Sequence, residues 1–301
     1  MKTPPYIKPG SKIRIISPAG KVDRKYVLPA VQWLDKQGYN VELGKHVFAR
    51  YFQFAGTDEQ RLEDLQTALD DPETEVIICS RGGYGSVRII DKLNFNGCSL
   101  HPKWLVGFSD ITILHACFNK LGVATIHGVM PRHFFDAKQE VTENLQSLMN
   151  LLTGIKPEYV YPTEKWNRRG ETVAEVVGGN LSIISSLQGT KYELDTEGKI
   201  LFLEDIDEFL YHTDRMMHQL KLAGKLEKLA GLVLGNFTKM KDNESSFGKT
   251  IHEIISEAVD EYDYPVCFGF PAGHDLKNLA LSFGQEWKLK VDEKQTALTL
   301  F

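Results

Sequence analysis

Short apolar runs alternate with helical segments through the first part of this chain, and the alternation constrains the fold more than any other feature. The runs Lys12–Ser17, Glu75–Cys79 and Trp104–Gly107 have the β-branched and apolar content of buried strands. The segments Asp23–Gln37 and Ile111–Leu121, which lie between or after them, have the pattern of helices. Strands that are apolar along most of their length are typical of a sheet covered on both faces. The pattern therefore predicts an α/β fold with a parallel sheet and helices on its faces.

The chain has 301 residues, which is enough to form two hydrophobic cores. Residues 154–170 carry glycine and proline among polar neighbours, which is typical of a linker between domains. A second alternation of strands and helices follows, and residues 279–301 at its end are predicted to form β-strands. We therefore predict an N-terminal domain over residues 1–153, a linker over 154–170 and a C-terminal α/β domain with a β-rich tail over 171–301.

Composition excludes several classes of protein. Lys and Arg number 35 against 40 Asp and Glu, a formal net charge of −5, and the cations are dispersed, which argues against nucleic-acid binding. The four cysteines include no C-x-x-C pair, so we predict no zinc ribbon, and no metal or other cofactor. The N-terminus lacks the apolar core of a signal peptide, and no apolar run approaches the roughly 20 residues of a membrane span. We expect a soluble, cytoplasmic protein that does not bind membranes.

A serine lies just beyond the strand Trp104–Gly107, where the chain turns into the next helix. Ser109 on a tight strand-to-helix turn is a candidate nucleophile, and N–H groups at the helix N-terminus could bind the resulting oxyanion. The alternative is that Ser109 caps the helix. Because the pattern differs from G-x-S-x-G, the nucleophile hypothesis needs a base and an orienting acid elsewhere in the chain.

Two strand ends in the second half of the chain supply such residues. Glu204 follows the apolar run Leu201–Leu203, and His274 lies in a turn after another predicted strand. Sites in α/β sheets form beyond the carboxyl ends of strands, so both residues are candidates for an acid and a base. Glu204 could instead form a surface ion pair, and His274 is one of nine histidines. His115 and His127, which lie near the serine segment, are alternative bases.

The segment Ser80–Gly85 is a glycine-rich turn after a predicted strand. Glycines allow successive N–H groups to face an anion, which could be a phosphate or the oxyanion of a tetrahedral intermediate. The spacing matches neither G-x-G-x-x-G nor G-x-x-x-x-G-K-[ST], which disfavours a nucleotide site. The remaining interpretation is a plain glycine turn.

Taken together, six segments resemble the LD-carboxypeptidases, serine peptidases of the muramoyl-tetrapeptide carboxypeptidase type. They occur in order over nearly the whole chain, and the combination is far more specific than any one of them. The segments are Ser80–Gly85, Gly107–Thr112, His127–Met130, Gly178–Ser182, Leu201–Asp205 and Gly273–Asn278. One departure is Val129, where the family often has proline after the His-Gly pair.

The resemblance implies a flavodoxin-like N-terminal domain, a C-terminal α/β domain and a homodimer. It also implies a catalytic triad in which Ser109 is the nucleophile, Glu204 the acid and His274 the base. The backbone N–H groups of Gly83 and Asp110 match the oxyanion hole of the family.

Three neighbouring residues complete the candidate site. Gly82 is the alternative to Gly83 as the N–H donor. Arg81 could bind the terminal carboxylate of a substrate, although a surface ion pair is the plainer interpretation. Tyr84 is a second candidate for substrate binding.

The resemblance therefore implies a serine LD-carboxypeptidase that releases D-alanine from a murein tetrapeptide during cell-wall recycling, without a metal. An alternative is a related serine peptidase that cleaves aminoacyl-nucleotide or peptidyl-nucleotide antibiotics and confers self-immunity. A third hypothesis is a ligand-binding protein without catalytic activity.

Overall fold

The structure of the protein is a computed structural model that describes residues 1–301. Its strands are β1 (Lys12–Ile16), β2 (Asn40–Leu43), β3 (Thr74–Cys79), β4 (Trp104–Gly107), β5 (Thr125–His127), β6 (Glu158–Pro162), β7 (Gly170–Asn180), β8 (Ile200–Ile206), β9 (Gly231–Thr238), β10 (Val266–Cys267), β11 (Leu281–Phe283), β12 (Glu286–Val291) and β13 (Gln295–Leu300). Its α-helices are α1 (Arg24–Lys36), α2 (Asp58–Asp70), α3 (Asn96–Leu100), α4 (Thr112–Lys120), α5 (Glu143–Leu152), α6 (Leu181–Ser186), α7 (Leu210–Leu222) and α8 (Ile251–Ala258). None of these helices combines the length and the apolar character needed to cross a lipid bilayer.

The N-terminal unit comprises residues 1–155 together with residues 279–284. Its six-stranded sheet has the order β11-β5-β4-β3-β1-β2, in which β1 to β5 are parallel and β11 is antiparallel to β5. The order of the first five strands, 2-1-3-4-5, is that of flavodoxin-like folds. The predicted flavodoxin-like sheet is confirmed.

Apolar side chains on both faces of the central strands explain why this sheet is parallel and covered by helices. Every residue of β4 is buried, and so is the run Val76–Cys79 of β3. Such strands cannot leave one face in water, so helices cover them. The strand order reverses between β1 and β3, which places the turns that follow these two strands beside each other, at the usual position of ligand sites in such sheets.

The C-terminal unit comprises residues 156–278 and 285–301. Its seven-stranded sheet has the order β10-β9-β8-β7-β12-β13-β6. Strands β7 to β10 are parallel, whereas β12, β13 and β6 form an antiparallel half that begins at β7. The predicted α/β fold with a β-rich tail is confirmed.

Two segments lie differently from the domain boundaries that we predicted. The predicted linker over residues 154–170 contains β6, which pairs with β13 and is therefore part of the C-terminal sheet. In the tail, β11 pairs with β5 and adds an edge strand to the N-terminal sheet. Local sequence patterns signal a strand but not its partner, because pairing is set by residues distant in the chain.

A buried lysine secures the C-terminal end of α2. The ammonium group of Lys103 is fully buried and donates hydrogen bonds to the carbonyl oxygens of Ala68 at 3.2 Å, Leu69 at 2.9 Å and Asp71 at 2.7 Å. These include carbonyls left without partners at a helix end, where a positive charge is favourable. Burial lowers the pKa of Lys103 from its ordinary value. The three carbonyls thus depend on one side chain.

We expect Lys103→Met to lower the free energy of unfolding by about 1–3 kcal/mol, because buried carbonyls lose their donor while the side-chain volume is kept. Urea denaturation followed by circular dichroism measures this change. Lys120→Met, at an exposed position near the end of α4, is the matched control and should change the free energy by no more than about 0.5 kcal/mol. Equal stabilities of the two variants would show that the Lys103 bonds contribute nothing.

Candidate active site

Ser109 occupies a strained turn at the end of β4. The chain leaves the strand at Gly107, passes through Phe108 and enters a short 3-10 turn, Ser109–Ile111, that leads into α4. Ser109 has φ +66°, a left-handed conformation that is costly for a residue with a Cβ atom. Ser109 does not cap a helix, because the capping positions of the 3-10 turn and of α4 are Phe108 and Ile111. A sharp, strained strand-to-helix turn is the setting in which α/β hydrolases expose a nucleophile.

The glycine turn after β3 packs directly against this serine. A Cβ atom placed on Gly82 would lie 2.9 Å from Ser109 Cβ and 3.2 Å from Ser109 Oγ, so only glycine fits there. The next residue, Gly83, has φ +105°, which disfavours any side chain. The Gly20 N–H, in the turn after β1, donates to the carbonyl of Gly82 at 3.0 Å. The backbone of residues 82–83 is thereby held next to the Ser109 side chain.

The two predicted substrate-binding residues flank the same turn. Arg81 is exposed, and its Nη1 donates to the carbonyl oxygen of Lys21 at 2.9 Å. Tyr84 is 48% exposed, and its ring centroid lies 6.0 Å from that of Phe54. Both side chains reach the surface of the N-terminal unit close in sequence to Gly82 and Gly83. Their roles toward a substrate stay predictions.

Two groups of Asp110, the backbone N–H and the carboxylate, are relevant to the site. It follows Ser109, where its N–H was predicted to bind an oxyanion, and its carboxylate is buried. Asp110 Oδ2 accepts a hydrogen bond of 2.9 Å from the N–H of Ser86, directly after the glycine turn. Burial raises the pKa of Asp110, and the Ser86 hydrogen bond opposes this shift. The side chain therefore links the serine turn to the glycine turn.

The two alternative bases are parts of the core. His115 is buried and hydrogen-bonded through both ring nitrogens, with Thr125 Oγ1 at 2.8 Å and the Gly107 carbonyl at 2.9 Å. Burial lowers the pKa of His115 to about 4, so the ring is neutral at ordinary pH. His127 is fully buried, with its ring centroid 5.8 Å from that of Phe108. His115 braces the strand end that precedes the serine and is not available as its base.

In the C-terminal unit, Glu204 and His274 form a buried pair. Glu204 is fully buried on β8, and its Oε2 accepts a hydrogen bond of 2.6 Å from His274 Nδ1. The side chain of His274 is 14% exposed. The interpretation of Glu204 as a surface acid is wrong, since the residue has no exposed area. With its proton on Nδ1, the imidazole offers Nε2 as a basic nitrogen, which is the arrangement that a general base requires.

Two irregularities of the backbone produce this pair. The register between β8 and β9 shifts between Leu203 and Asp205, and such a bulge re-aims the side chain at its position, here Glu204. Gly273, directly before the histidine, has φ +123°, and a Cβ atom there would lie 2.9 Å from Glu204 Oε2. The Gly273 N–H also donates to Asn278 Oδ1 at 3.0 Å, which closes the turn. The hydrogen bond thus requires glycine at position 273.

A second buried acid acts on the same histidine. Burial alone would lower the pKa of His274, but the Glu204 hydrogen bond, its charge and the charge of Asp205 outweigh burial and raise it. Burial, together with the Glu204 charge, raises the pKa of Asp205 to about 7. Asp205 accepts hydrogen bonds from Asn180 Nδ2 at 2.9 Å and from the Ile206 N–H at 2.8 Å. No role for Asp205 was predicted from the sequence; its position on a buried strand was the available signal.

Both halves of the chain match models of one known protein family. Residues 13–128 match the LD-carboxypeptidase N-terminal domain, and residues 173–289 match the LD-carboxypeptidase C-terminal domain. These ranges contain all the predicted catalytic and oxyanion-binding residues.

Several named proteins are similar over nearly their full length. A probable murein peptide carboxypeptidase of Bacillus subtilis is 32% identical and aligns with 98% of this chain and 93% of its own. The murein tetrapeptide carboxypeptidase of Pseudomonas aeruginosa is 32% identical over 91% of each chain. The crystal structure of muramoyltetrapeptide carboxypeptidase from Oxalobacter formigenes superposes with a TM-score of 0.86 at 28% identity, over 96% of this chain and 98% of that one.

A more distant relative is the microcin C7 self-immunity protein MccF of Escherichia coli, which is 24% identical over 94% of this chain and 90% of its own. Matches to both halves of one family, in order and over most of the length, leave a single assignment. The chain belongs to the LD-carboxypeptidase family of serine carboxypeptidases.

Proposed function

We propose that this carboxypeptidase releases the terminal D-alanine from a murein tetrapeptide by means of Ser109, His274 and Glu204. The observation that carries the proposal is the 2.6 Å hydrogen bond between the buried Glu204 and His274, because it supplies an oriented base. The strained turn at Ser109 supports the nucleophile. The substrate is inferred from the relatives, two of which are named for murein peptides and tetrapeptides.

In the first half of the proposed reaction, Ser109 Oγ attacks the carbonyl carbon of the L-residue that precedes D-alanine. His274 Nε2 takes the serine proton as the C–O bond forms. The N–H groups of Gly83 and Asp110 bind the oxyanion, and each such donor typically contributes about 2.7–4 kcal/mol to transition-state stabilisation. Glu204 holds the imidazole in the required tautomer and stabilises the imidazolium.

In the second half, the C–N bond breaks and His274 returns its proton to the amine of the departing D-alanine. The remaining acyl group is an ester on Ser109. Water then attacks this ester, His274 takes a proton from the water, and the proton passes to Ser109 Oγ as the tripeptide leaves. The sum of the two steps is hydrolysis of one peptide bond, and no cofactor enters it.

The nucleophile is tested by Ser109→Ala with a murein tetrapeptide ending in D-alanine, using release of D-alanine as the measurement. We expect kcat to fall by about 10⁶-fold, as in serine peptidases that lose the nucleophile. Ser186→Ala, which removes an exposed hydroxyl from α6, is the control and should retain the activity of the unmodified protein. Near-normal release by the Ser109 variant would exclude the mechanism.

The base is tested by the pH dependence of Glu204→Gln. Activity needs the neutral imidazole, so kcat/KM should rise with pH through the pKa of His274, which lies above its ordinary value of 6.5. Removal of the Glu204 charge lowers that pKa, so the acid limb of the profile should move to lower pH. At the same time kcat should fall by about 10⁴-fold, because the tautomer is no longer fixed.

Asp207→Asn is the matched control for this experiment. Asp207 is an exposed acid directly after β8, the strand that carries Glu204, and it pairs with Lys241 at 2.8 Å. Asparagine tolerates the left-handed conformation of this residue. Its profile should coincide with that of the unmodified protein. An acid limb that stays in place in the Glu204 variant would remove Glu204 from this role.

The proposed carboxylate recognition is tested by Arg81→Ala. If Arg81 binds the terminal carboxylate, KM should rise far more for the free acid than for the corresponding C-terminal amide. Tyr84 would lie beside the same group. Arg50→Ala, which removes an exposed arginine paired with Asp23, should alter neither KM. Equal effects of Arg81→Ala on acid and amide would eliminate this assignment.

The likeness to MccF keeps a second substrate in the design of these assays. Both substrates would use the same serine, so a serine variant cannot distinguish them. Turnover of a peptidyl-adenylate mimic is therefore compared with turnover of the murein tetrapeptide. Preferential turnover of the mimic would contradict the tetrapeptide proposal and favour a self-immunity peptidase that cleaves peptidyl-nucleotide antibiotics. The higher identity of the murein carboxypeptidases favours the tetrapeptide.

The homodimer implied by the family resemblance and the cytoplasmic location expected from the sequence complete the proposal. Sedimentation equilibrium measures the first, and a mass of one 34.1 kDa chain at micromolar concentration would contradict it. Fractionation of cells with a tagged chain measures the second, and recovery outside the cytoplasmic fraction would contradict it.

A further inference from the structure

The N-terminal unit contains a fully buried arginine that has no part in the reaction described above. Arg61 lies in the first turn of α2, and its side chain has no exposed area. Its Nη1 donates to the carbonyl of Pro18 at 2.8 Å and to the carbonyl of Gly85 at 2.8 Å, and its Nη2 pairs with Asp58. Placing a guanidinium out of water carries a desolvation penalty that an apolar side chain of similar volume avoids.

The two carbonyls belong to the turns that border the nucleophile. Pro18 lies in the turn after β1, and Gly85 ends the glycine turn after β3. One guanidinium nitrogen therefore joins the two turns at one point, and the hydrogen bond from Gly20 to Gly82 joins them at another. A Cβ atom on Gly85 would lie 2.6 Å from Arg61 Nη1, so the glycine is needed for this approach.

Asp110 holds the same turn at the next residue. Its carboxylate accepts the N–H of Ser86, the residue that follows Gly85, at 2.9 Å. One end of the glycine turn is thus held by a cation at residue 85 and by an anion at residue 86. Both charged groups are buried. Gly83, in the same turn and next to Ser109, has a left-handed conformation and no side chain that could stabilise it.

We propose that Arg61 and the carboxylate of Asp110 are positioning residues that fix the glycine turn so that its N–H group is preorganised for the oxyanion formed at Ser109. The inference rests on the proposed function, since it assigns the oxyanion hole to this turn. A donor stabilises the transition state only if it is already oriented, because reorientation during the reaction would cost part of the gain. Loss of either anchor should therefore slow the chemical step more than it weakens substrate binding.

A structural role alone makes a different prediction, and Lys103 provides the comparison. Lys103 is also a fully buried cation that donates to backbone carbonyls associated with α2. Its partners lie at the end of the helix and none belongs to the glycine turn. Arg61→Met and Lys103→Met are matched, because each replaces a buried cation by the same apolar side chain.

Two measurements are made on the full-length variants, below their unfolding temperatures. The first is kcat and KM for D-alanine release from the tetrapeptide. The second is labelling by a fluorophosphonate, in which Ser109 Oγ forms a bond to phosphorus, fluoride leaves and His274 takes the serine proton. Labelling builds negative charge on the phosphoryl oxygen and so uses the oxyanion hole whatever the natural substrate is.

We expect Arg61→Met to lower kcat and the labelling rate by about 10²-fold or more, the effect of losing one oxyanion donor, with KM within about twofold of its original value. Arg61→Lys keeps a cation that can still donate to a carbonyl and should recover part of both rates. Lys103→Met should lower the unfolding temperature and leave both rates within about twofold, since its carbonyls are remote from the turn.

A loss of kcat in Arg61→Met no larger than that in Lys103→Met would overturn the proposal. If Arg61→Met does not fold, Arg61→Lys, Asp110→Asn and the double variant decide the question. Because both residues hold the same turn, their effects on log kcat should be less than additive, and additive effects would also overturn it.

The two readouts separate this inference from the proposed function. A protein that is labelled at Ser109 but releases no D-alanine has a different substrate, and the labelling rates of the variants still test the positioning role. A protein in which Ser109 is neither labelled nor active contradicts both proposals.

Discussion

Parallel pairing of β1 with both β2 and β3 is the constraint on which the N-terminal unit depends. The chain leaves β1 toward one side to form β2 and comes back on the other side to form β3, so the turns after β1 and β3 become neighbours. One turn contains Gly20 and the other Gly82, which are joined directly through their backbones. Ser109, at the end of the next strand, then meets the second turn. Strand order therefore places a serine against a glycine turn before any side-chain chemistry is considered.

In both units, buried charged side chains form hydrogen bonds to backbone groups. Arg61 donates to carbonyls, Asp110 accepts a backbone N–H, and Asp205 accepts one backbone N–H from its neighbour and another at the start of α6. A charge removed from water needs such partners, and backbone groups within regular structure cannot rotate away. Glu204 differs from these residues, because its hydrogen bond is made with the imidazole of His274. That difference matters chemically, since a partner that exchanges a proton can take part in a reaction, whereas an amide or a carbonyl only holds a charge in place.

The elements around Ser109 could be predicted from the sequence because their signals are local. Apolar runs mark the strands, and the glycines at 82 and 83 mark a turn. The association of Glu204 with His274 spans 70 residues and came from resemblance to a family, since no periodicity encodes it. Arg61 was missed because an arginine on an amphipathic helix usually faces water, and its partners here are carbonyls of two other segments. The pairing of β11 was missed for the same reason, because a local strand pattern does not identify the strand with which it pairs.

The position of β11 has a consequence for how the protein is made. The edge of the N-terminal sheet is completed when Leu281–Phe283 pair with β5, and this occurs after almost the whole C-terminal unit has been added to the chain. Until residue 284 has left the ribosome, β5 presents unpaired N–H and C=O groups, which are a template for pairing with another chain. The first unit to be synthesised is thus among the last to be finished. A fragment that ends at residue 155 would lack its own edge strand permanently, so the two halves of this chain are not separable modules.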